Sequence, residues 1–137
     1  MDCIFCNIIS GKIPVRKIHE TQSSLAFLDA FPLTKGHSLV ISKTHYAKIQ
    51  EMTASDNSDL FESVRIISTR IERIAPSSLV AIHNGKESGQ EVPHVHVHVI
   101  PRNIVDGVGP IHSMFTQRPK LTDTEFNEIA EILRKKE

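Results

Sequence analysis

The chain has 137 residues, 39% of them hydrophobic, and its 16 basic residues balance 16 acidic ones. This length suits one domain over residues 1–137, enough to bury roughly two-thirds of the unfolded surface. Balanced charge without a long basic stripe argues against nucleic-acid binding by bulk electrostatics. The first residues lack the basic and apolar regions of a secretory signal, and no apolar run reaches the ~20 residues that span a bilayer. We therefore expect a cytoplasmic protein with reduced thiols and no membrane contact.

The first third of the chain predicts a short helix and three strands. Apolar residues between Ile4 and Ser10 favour one or two helical turns that end at Gly11. Short runs with strand character, separated by turn residues, follow at Lys17–Glu20, Leu25–Ala30 and Ser38–Ser42.

A long amphipathic helix is predicted next. Thr53 and Asp56 have the spacing of an N-cap and an acidic residue three positions on. Apolar residues then recur every three or four positions until Pro76 ends the pattern. These residues are Leu60, Phe61, Val64, Ile67, Ile71 and Ile74.

The last part of the chain predicts two strands, an irregular arm and a helix. The strands are Leu79–His83 and His94–Ile100, and the arm covers residues 102–121. Thr122 and Glu125 form a capping box that opens a helix over 122–136. Its inner face is expected to hold Phe126, Ile129 and either Ala130 or Leu133. Five strands that do not alternate with helices indicate an α+β fold, an antiparallel sheet with one long crossing helix.

Three histidines alternate with valines in the last predicted strand, at His94, His96 and His98. Alternate residues of a strand share a face, so the histidines line one face while the valines pack into the core. Three imidazoles in register do not favour stability, because each is polar and needs a partner when buried. The row fits a metal site or group transfer through a histidine nucleophile. It spans ~13 Å, too far for all three to hold one ion, so we expect a division of roles.

Cys3 and Cys6 form a C-x-x-C pair, which can be redox-active, metal-binding or incidental. A thioredoxin-type pair would follow a strand and open a longer helix, and this pair does not. A closed zinc site would need two further ligands, and the spacing alone does not identify them.

Together with Gly89–Pro93 before it, the segment His94–Arg102 resembles the histidine triad (HIT) family. The family's alternation of histidine and apolar residues is met at every position, and the resemblance fades after Arg102. The chain is most similar to the Hint-type nucleotide hydrolases and their zinc-carrying relatives, and less to the fragile-histidine hydrolases. Further matching segments are Cys3–Cys6, Leu25–Asp29, Gly36-His37 and His45.

The resemblance implies cleavage at the α-phosphate of a purine nucleotide, such as AMP or an adenosine phosphoramidate. His96 would attack and form a nucleotidyl-histidine, and His98 and Gln90 would donate to the phosphate oxygens. No organic cofactor and no magnesium are needed. The family often has Ser or Thr where this chain has Glu91. Glu91 is either an acid for the leaving group or a surface residue.

The resemblance also implies binding residues. Phe5, Ile8 and Phe27 would hold the base, Asp29 the ribose hydroxyls and Asn84 the ribose or phosphate, beside Gln90 and His98. Ordinary core packing for the apolar three, and an Asn-Gly turn for Asn84, are the structural alternatives. A structural zinc would be held by Cys3, Cys6, His45 and His94, with metal-free thiols as the alternative. Structural roles are expected for His19, His37, His83 and His112.

A homodimer is implied as well. Independently, Ile111, Met114 and Phe115 lie in a segment without a helix or strand of its own, and a partner's surface would bury them. Alternative functions are a nucleotide-binding adaptor or sensor with weak catalysis, a dinucleoside polyphosphate hydrolase, and a zinc- or redox-responsive protein.

Overall fold

The computed structural model describes residues 2–137. Five strands form one sheet in the order β1-β2-β3-β5-β4, and every neighbouring pair is antiparallel. The strands are β1 Lys17–Glu20, β2 Ser24–Leu28, β3 Ser38–Ser42, β4 Ser77–Ala81 and β5 His96–Arg102. The helices are α1 Ile4–Ile9, α2 Ala54–Ile71 and α3 Asp123–Arg134. The predicted α+β class with one long helix and an antiparallel sheet is confirmed.

Helix α2 covers one face of the sheet. The Thr53 side chain accepts a hydrogen bond from the Asp56 N–H at 3.1 Å, which confirms the predicted N-cap. The helix buries one stripe against the sheet, whereas Phe61 and Ile74 of the predicted pattern are 40% and 56% exposed. The helix and sheet residues of this core are Ala26, Val40, Leu60, Val64, Ile67, Ile71, Val95, Val97 and Val99.

Helix α1 lies against the opposite face. Its Phe5 and Ile8 pack with side chains of β2 and β3 that point away from α2. The shared cluster comprises Cys3, Phe5, Ile8, Leu25, Phe27, Leu39 and Ile41. Because both faces are covered at β2, four successive residues of this strand are buried from Ser24 to Phe27. The face that carries α1 is also the face of the triad histidines.

Strand bounds differ from the predictions by two residues at three places. β2 ends at Leu28, β4 is shifted towards the N-terminus, and β5 is shifted towards the C-terminus, from His94–Ile100 to His96–Arg102. The shift at β5 arises because His94 and Val95 hydrogen-bond outside the regular ladder, through N–H bonds to the carbonyls of Val92 and Tyr46.

The chain divides into two compact units, one that ends at Asp106 and one over Gly107–Glu137. The second unit contains a short 3₁₀ turn, Ile111–Met114, within the predicted arm, and α3 with its predicted capping box. In the single chain the predicted inner face of α3 is not buried, since Phe126, Ile129 and Leu133 are exposed and Ala130 is half-buried. Amphipathic spacing shows that a helix has an apolar face but not what covers it. A single domain over 1–137 stays a prediction.

Among residues 2–137, no helix combines the length and the apolar character that crossing a membrane requires.

Candidate active site and metal centre

Strand β5 and the two residues before it place the triad histidines on one face, as the alternation predicts. The ring centroids of His96 and His98 are 5.2 Å apart. Phe5 of α1 packs against the row, with its ring centroid 5.7 Å from that of His94 and 4.9 Å from that of His96. The alternating valines are at most 1% exposed in the core beneath α2. The strand therefore separates an apolar supporting face from a polar face beside a pocket.

The sheet register brings further polar residues to the same pocket. Leu39 of β3 pairs with His98 of β5, and His98 pairs with Ala81 of β4. His37 and His83 lie two residues from Leu39 and Ala81, and alternation directs them to the same face. The polar residues that line the pocket are Asp29, His37, His83, Glu91, His96 and His98.

The tautomer of His96 follows from its single backbone partner. Its Nδ1 lies 2.6 Å from the carbonyl oxygen of His94, a group that only accepts, so the proton is on Nδ1. Nε2 therefore carries the lone pair. Burial lowers the pKa of His96 below its usual value, and the neighbouring His83 lowers it further. A neutral imidazole with a free Nε2 is the nucleophilic form.

A chain of two hydrogen bonds assigns the proton on His98. The backbone N–H of Leu33 donates to Nδ1 of His37 at 3.1 Å, so His37 carries its proton on Nε2. That Nε2 lies 2.9 Å from Nδ1 of His98, which must accept. His98 then holds its own proton on Nε2, free to donate into the pocket. Burial lowers the pKa of His98 to about 4, and the imidazoles of His96, His37 and His83 add to this.

Asp29 is positioned at the edge of the same network. One carboxylate oxygen accepts the backbone N–H of Phe31 at 2.8 Å, and the other lies 3.7 Å from Nε2 of His37. The carboxylate is 18% exposed and lines the pocket. It is therefore held in place and still has lone pairs for a ligand hydroxyl.

Two of the sequence-predicted site residues, Gln90 and Asn84, form hydrogen bonds to neighbouring loops, and their roles toward a ligand stay predictions. The Gln90 amide accepts from the Gly85 N–H at 2.9 Å and donates to the Ala47 carbonyl at 2.7 Å. Asn84 likewise accepts from the Ile49 N–H and donates to the Gln50 side chain, both at 3.0 Å. Both amides are thus engaged in fastening loops.

The predicted base residues separate into two groups. All three are buried in the α1 core, with Phe5, Ile8 and Phe27 at 6%, 7% and 3% exposed, but only Phe5 lines the pocket. The rings of Phe5 and Phe27 lie 6.2 Å apart between centroids. Phe5 therefore faces the pocket and Phe27 supports it from behind.

Sequence reasoning missed His37 and His83 as pocket residues and assigned both to structural roles. For His37 the sequence contained a signal for the pocket face, because His37 precedes β3 by one residue and alternates with Leu39. Using it required the strand register, which a single sequence does not supply.

The four predicted zinc ligands converge at the start of β5. Their donor atoms all lie within 4.8 Å of one another. Nδ1 of His94 is 3.4 Å from Sγ of Cys3, 3.6 Å from Sγ of Cys6 and 3.1 Å from Nδ1 of His45. Sγ of Cys6 is 3.3 Å from Nδ1 of His45.

These separations fit a tetrahedral zinc centre. Zn–S bonds of about 2.3 Å and Zn–N bonds of about 2.0–2.1 Å place S and N about 3.5 Å apart, and two N atoms about 3.3 Å apart. Nε2 of His94 lies 2.7 Å from the Ser42 carbonyl, so its proton is there and Nδ1 has the lone pair that a metal needs. Donor type, spacing and tautomer are all compatible with zinc.

Comparison with known proteins identifies the family. Residues 10–104 match the family model described as HIT domain. An adenosine 5'-monophosphoramidase of Schizosaccharomyces pombe is 44% identical over 103 residues, 74% of this chain and 75% of that protein. A HIT family structure from Bacillus subtilis has a TM-score of 0.85 at 34% identity, covering 97% of this chain and 95% of that one. A zinc-bound histidine triad family protein from Mycobacterium smegmatis has a TM-score of 0.67 at 34% identity, covering 80% and 81%. The chain belongs to the histidine triad family.

Removal of one thiol tests the metal centre. We expect the purified protein to hold about one zinc per chain and Cys6→Ser to lose most of it, because three ligands no longer close the site. The melting temperature should fall by several degrees, since metal binding contributes to folding stability. Metal analysis and thermal unfolding measure both. Ser10→Ala, an exposed change beside α1, should keep the zinc; a metal content near zero in the wild type would contradict the assignment.

Acid should destabilise the fold through the buried histidines. The folded-state pKa of His98 is about 4, against 6.5 for the free side chain, so the unfolded chain binds a proton first as the pH falls. The free energy of unfolding should therefore be intact above pH 6.5 and decrease progressively towards pH 4. Urea unfolding at pH 7 and pH 5 measures the difference. His98→Gln should reduce this pH dependence and the exposed His112→Gln should not; equal slopes in all three proteins would refute the account.

Proposed function

We propose that the protein is a nucleotide hydrolase that cleaves phosphoramidate or phosphoanhydride bonds at the α-phosphate of purine nucleotides through a nucleotidyl-histidine. One observation carries this proposal: His96 presents an unprotonated Nε2 to a pocket in which the neighbouring His98 presents an Nε2–H. A nucleophile and a donor for phosphate oxygen thus stand side by side. The S. pombe relative, named as an adenosine 5'-monophosphoramidase, supports an adenosine substrate.

In the first step, Nε2 of His96 attacks the α-phosphorus. A nitrogen–phosphorus bond forms and the bond to the leaving group breaks, while the leaving group takes a proton. The Nδ1–H of His96 already donates to the His94 carbonyl, and this bond stabilises the positive charge that develops on the ring. The Nε2–H of His98 donates to a phosphate oxygen as negative charge builds there.

In the second step, water attacks the phosphorus, the nitrogen–phosphorus bond breaks, and the proton that the water loses passes to solvent. This returns His96 to its neutral form and releases the nucleotide monophosphate. The His37–His98 hydrogen bond keeps the His98 donor aimed throughout, because His37 is itself held by the Leu33 N–H. The leaving group takes its proton from Glu91, which lines the pocket, or from solvent, so that Glu91 is either an acid for the leaving group or a surface residue.

The proposed zinc is structural. Cys3, Cys6, His45 and His94 would fill all four tetrahedral positions, so the metal contributes stability and leaves no open position for substrate. Thiolate ligands require reduced cysteines, which is consistent with a cytoplasmic location. Neither an organic cofactor nor magnesium enters the proposed mechanism.

Loss of the proposed nucleophile should remove turnover. His96→Ala should lower kcat for adenosine phosphoramidate at least about a thousandfold, since no other group replaces a covalent nucleophile. Rapid quench with labelled nucleotide should trap an adduct on the wild-type chain and none on this variant. The control His112→Ala changes an exposed histidine outside the pocket and should keep turnover. A largely active His96→Ala would refute the mechanism, and AMP binding without turnover by the wild type would favour the adaptor.

We also propose a homodimer. In the single chain, the exposed fractions of Ile111, Met114 and Phe115 are 52%, 70% and 66%. Burial of such a group of apolar side chains against a second copy of the chain would remove them from water and stabilise the dimer. Sedimentation at micromolar concentration should give the mass of two chains. Phe115→Asp should shift the population towards monomer and the exposed Lys120→Asp should not. A monomeric wild type would contradict the proposal.

A further inference from the structure

The apolar wall of the pocket includes side chains that no nucleotide-binding expectation covered. Of the three predicted base residues, only Phe5 reaches the pocket, and Ile8 and Phe27 are buried behind it. Phe31 and Leu33 also line the pocket. They are 87% and 72% exposed, so the pocket has a hydrophobic rim that is open to solvent.

This rim belongs to the β2–β3 connection, residues 29–37, which is tightly fastened. The Asp29 N–H donates to the His37 carbonyl at 2.9 Å, and the His37 N–H donates to the Thr34 carbonyl at 3.0 Å. The Thr34 hydroxyl donates to the Pro101 carbonyl of β5 at 2.8 Å. The loop therefore presents its side chains from a preorganised backbone and not from a flexible one.

The same loop joins the rim to the polar part of the site. The Phe31 N–H donates to Asp29 and the Leu33 N–H donates to His37, at 2.8 and 3.1 Å. Asp29 is the proposed ribose ligand, and Phe31 follows it by two residues, within about 7 Å along an extended chain. A base attached to a ribose at Asp29 would consequently lie within reach of the Phe31 ring.

We propose that Phe31 is a specificity-determining residue that stacks on the base of the bound nucleotide and favours purines over pyrimidines. The base then lies between the buried wall at Phe5 and the exposed ring of Phe31. This inference rests on the proposed function, because it takes AMP or a related nucleotide as the ligand. Stacking on an aromatic ring is tolerant of base identity but grows with the overlapped area, so the larger purine gains more.

The affinity of AMP for a set of variants tests the proposal. Loss of a base–aromatic stack should raise the Kd for AMP roughly tenfold in Phe31→Ala, as measured by titration calorimetry on the full chain. Phe31→Trp keeps a stacking ring and should stay within about threefold of the wild type. Phe61→Ala is the matched control, since Phe61 lies on α2 at the other face of the sheet and is partly exposed. It should leave the Kd unchanged.

Two further ligands separate stacking from general damage to the pocket. Ribose 5-phosphate lacks the base, so its Kd should be the same in the wild type and in Phe31→Ala. CMP should bind the wild type more weakly than AMP does, and Phe31→Ala should reduce that preference. A pocket distorted by the substitution would instead weaken ribose 5-phosphate as well, which would overturn the stacking role.

The remaining outcomes are distinguishable. If the wild type binds AMP and Phe31→Ala binds it equally well, this inference is wrong and the proposed function stands. If the wild type binds neither AMP nor ribose 5-phosphate, the proposed function fails and the inference fails with it.

Discussion

His94 connects the metal centre, the sheet and the nucleophile through three atoms. Its Nε2–H donates to the Ser42 carbonyl at the end of β3, which directs Nδ1 towards the cysteine pair. Its own carbonyl accepts the Nδ1–H of His96 and thereby leaves Nε2 of His96 unprotonated. The residue that helps to form the proposed zinc site therefore also sets the tautomer of the proposed nucleophile. A metal bound at the proposed site would hold this backbone carbonyl in place without contact to the substrate.

The parts of the fold that depend on local patterns were predictable. Alternating valines placed the triad on one face of a strand, and the Thr53 and Thr122 caps marked where two helices begin. The resemblance supplied the four residues whose donor atoms converge. The hydrogen bonds of Gln90 and Asn84 were not predictable, because a side-chain amide can bind a ligand or fasten a loop, and each of these amides has a partner more than 30 positions away. Long-range side-chain hydrogen bonds leave no periodic signal in the sequence.

Local sequence patterns likewise do not show which apolar residues are buried. Phe5, Ile8 and Phe27 share one cluster, yet of the three only Phe5 borders the pocket, since Ile8 and Phe27 are buried between α1 and β2. Composition does not show which of these three residues borders the pocket. Conversely, Phe126 and Leu133 have helical spacing that suggests an inner face, but they are exposed in the single chain. Periodicity identifies a face, and only tertiary or quaternary contacts decide whether it is buried.

A pocket proposed to bind phosphate would gain affinity from positive charge, yet burial favours the neutral form of three of its histidines, His37, His96 and His98. Burial lowers the pKa values of His37, His96 and His98, and each lies near another imidazole that disfavours a second proton. Neutrality serves the proposed chemistry better than charge does, because a protonated His96 has no lone pair with which to attack. Substrate oxygens must then be bound by aimed N–H groups, and aim requires fixed tautomers. The tautomers are fixed by the hydrogen bond from the Leu33 N–H to His37 and by the bond from His96 to the His94 carbonyl. The backbone segments that hold these rings are therefore as necessary to the site as the rings themselves.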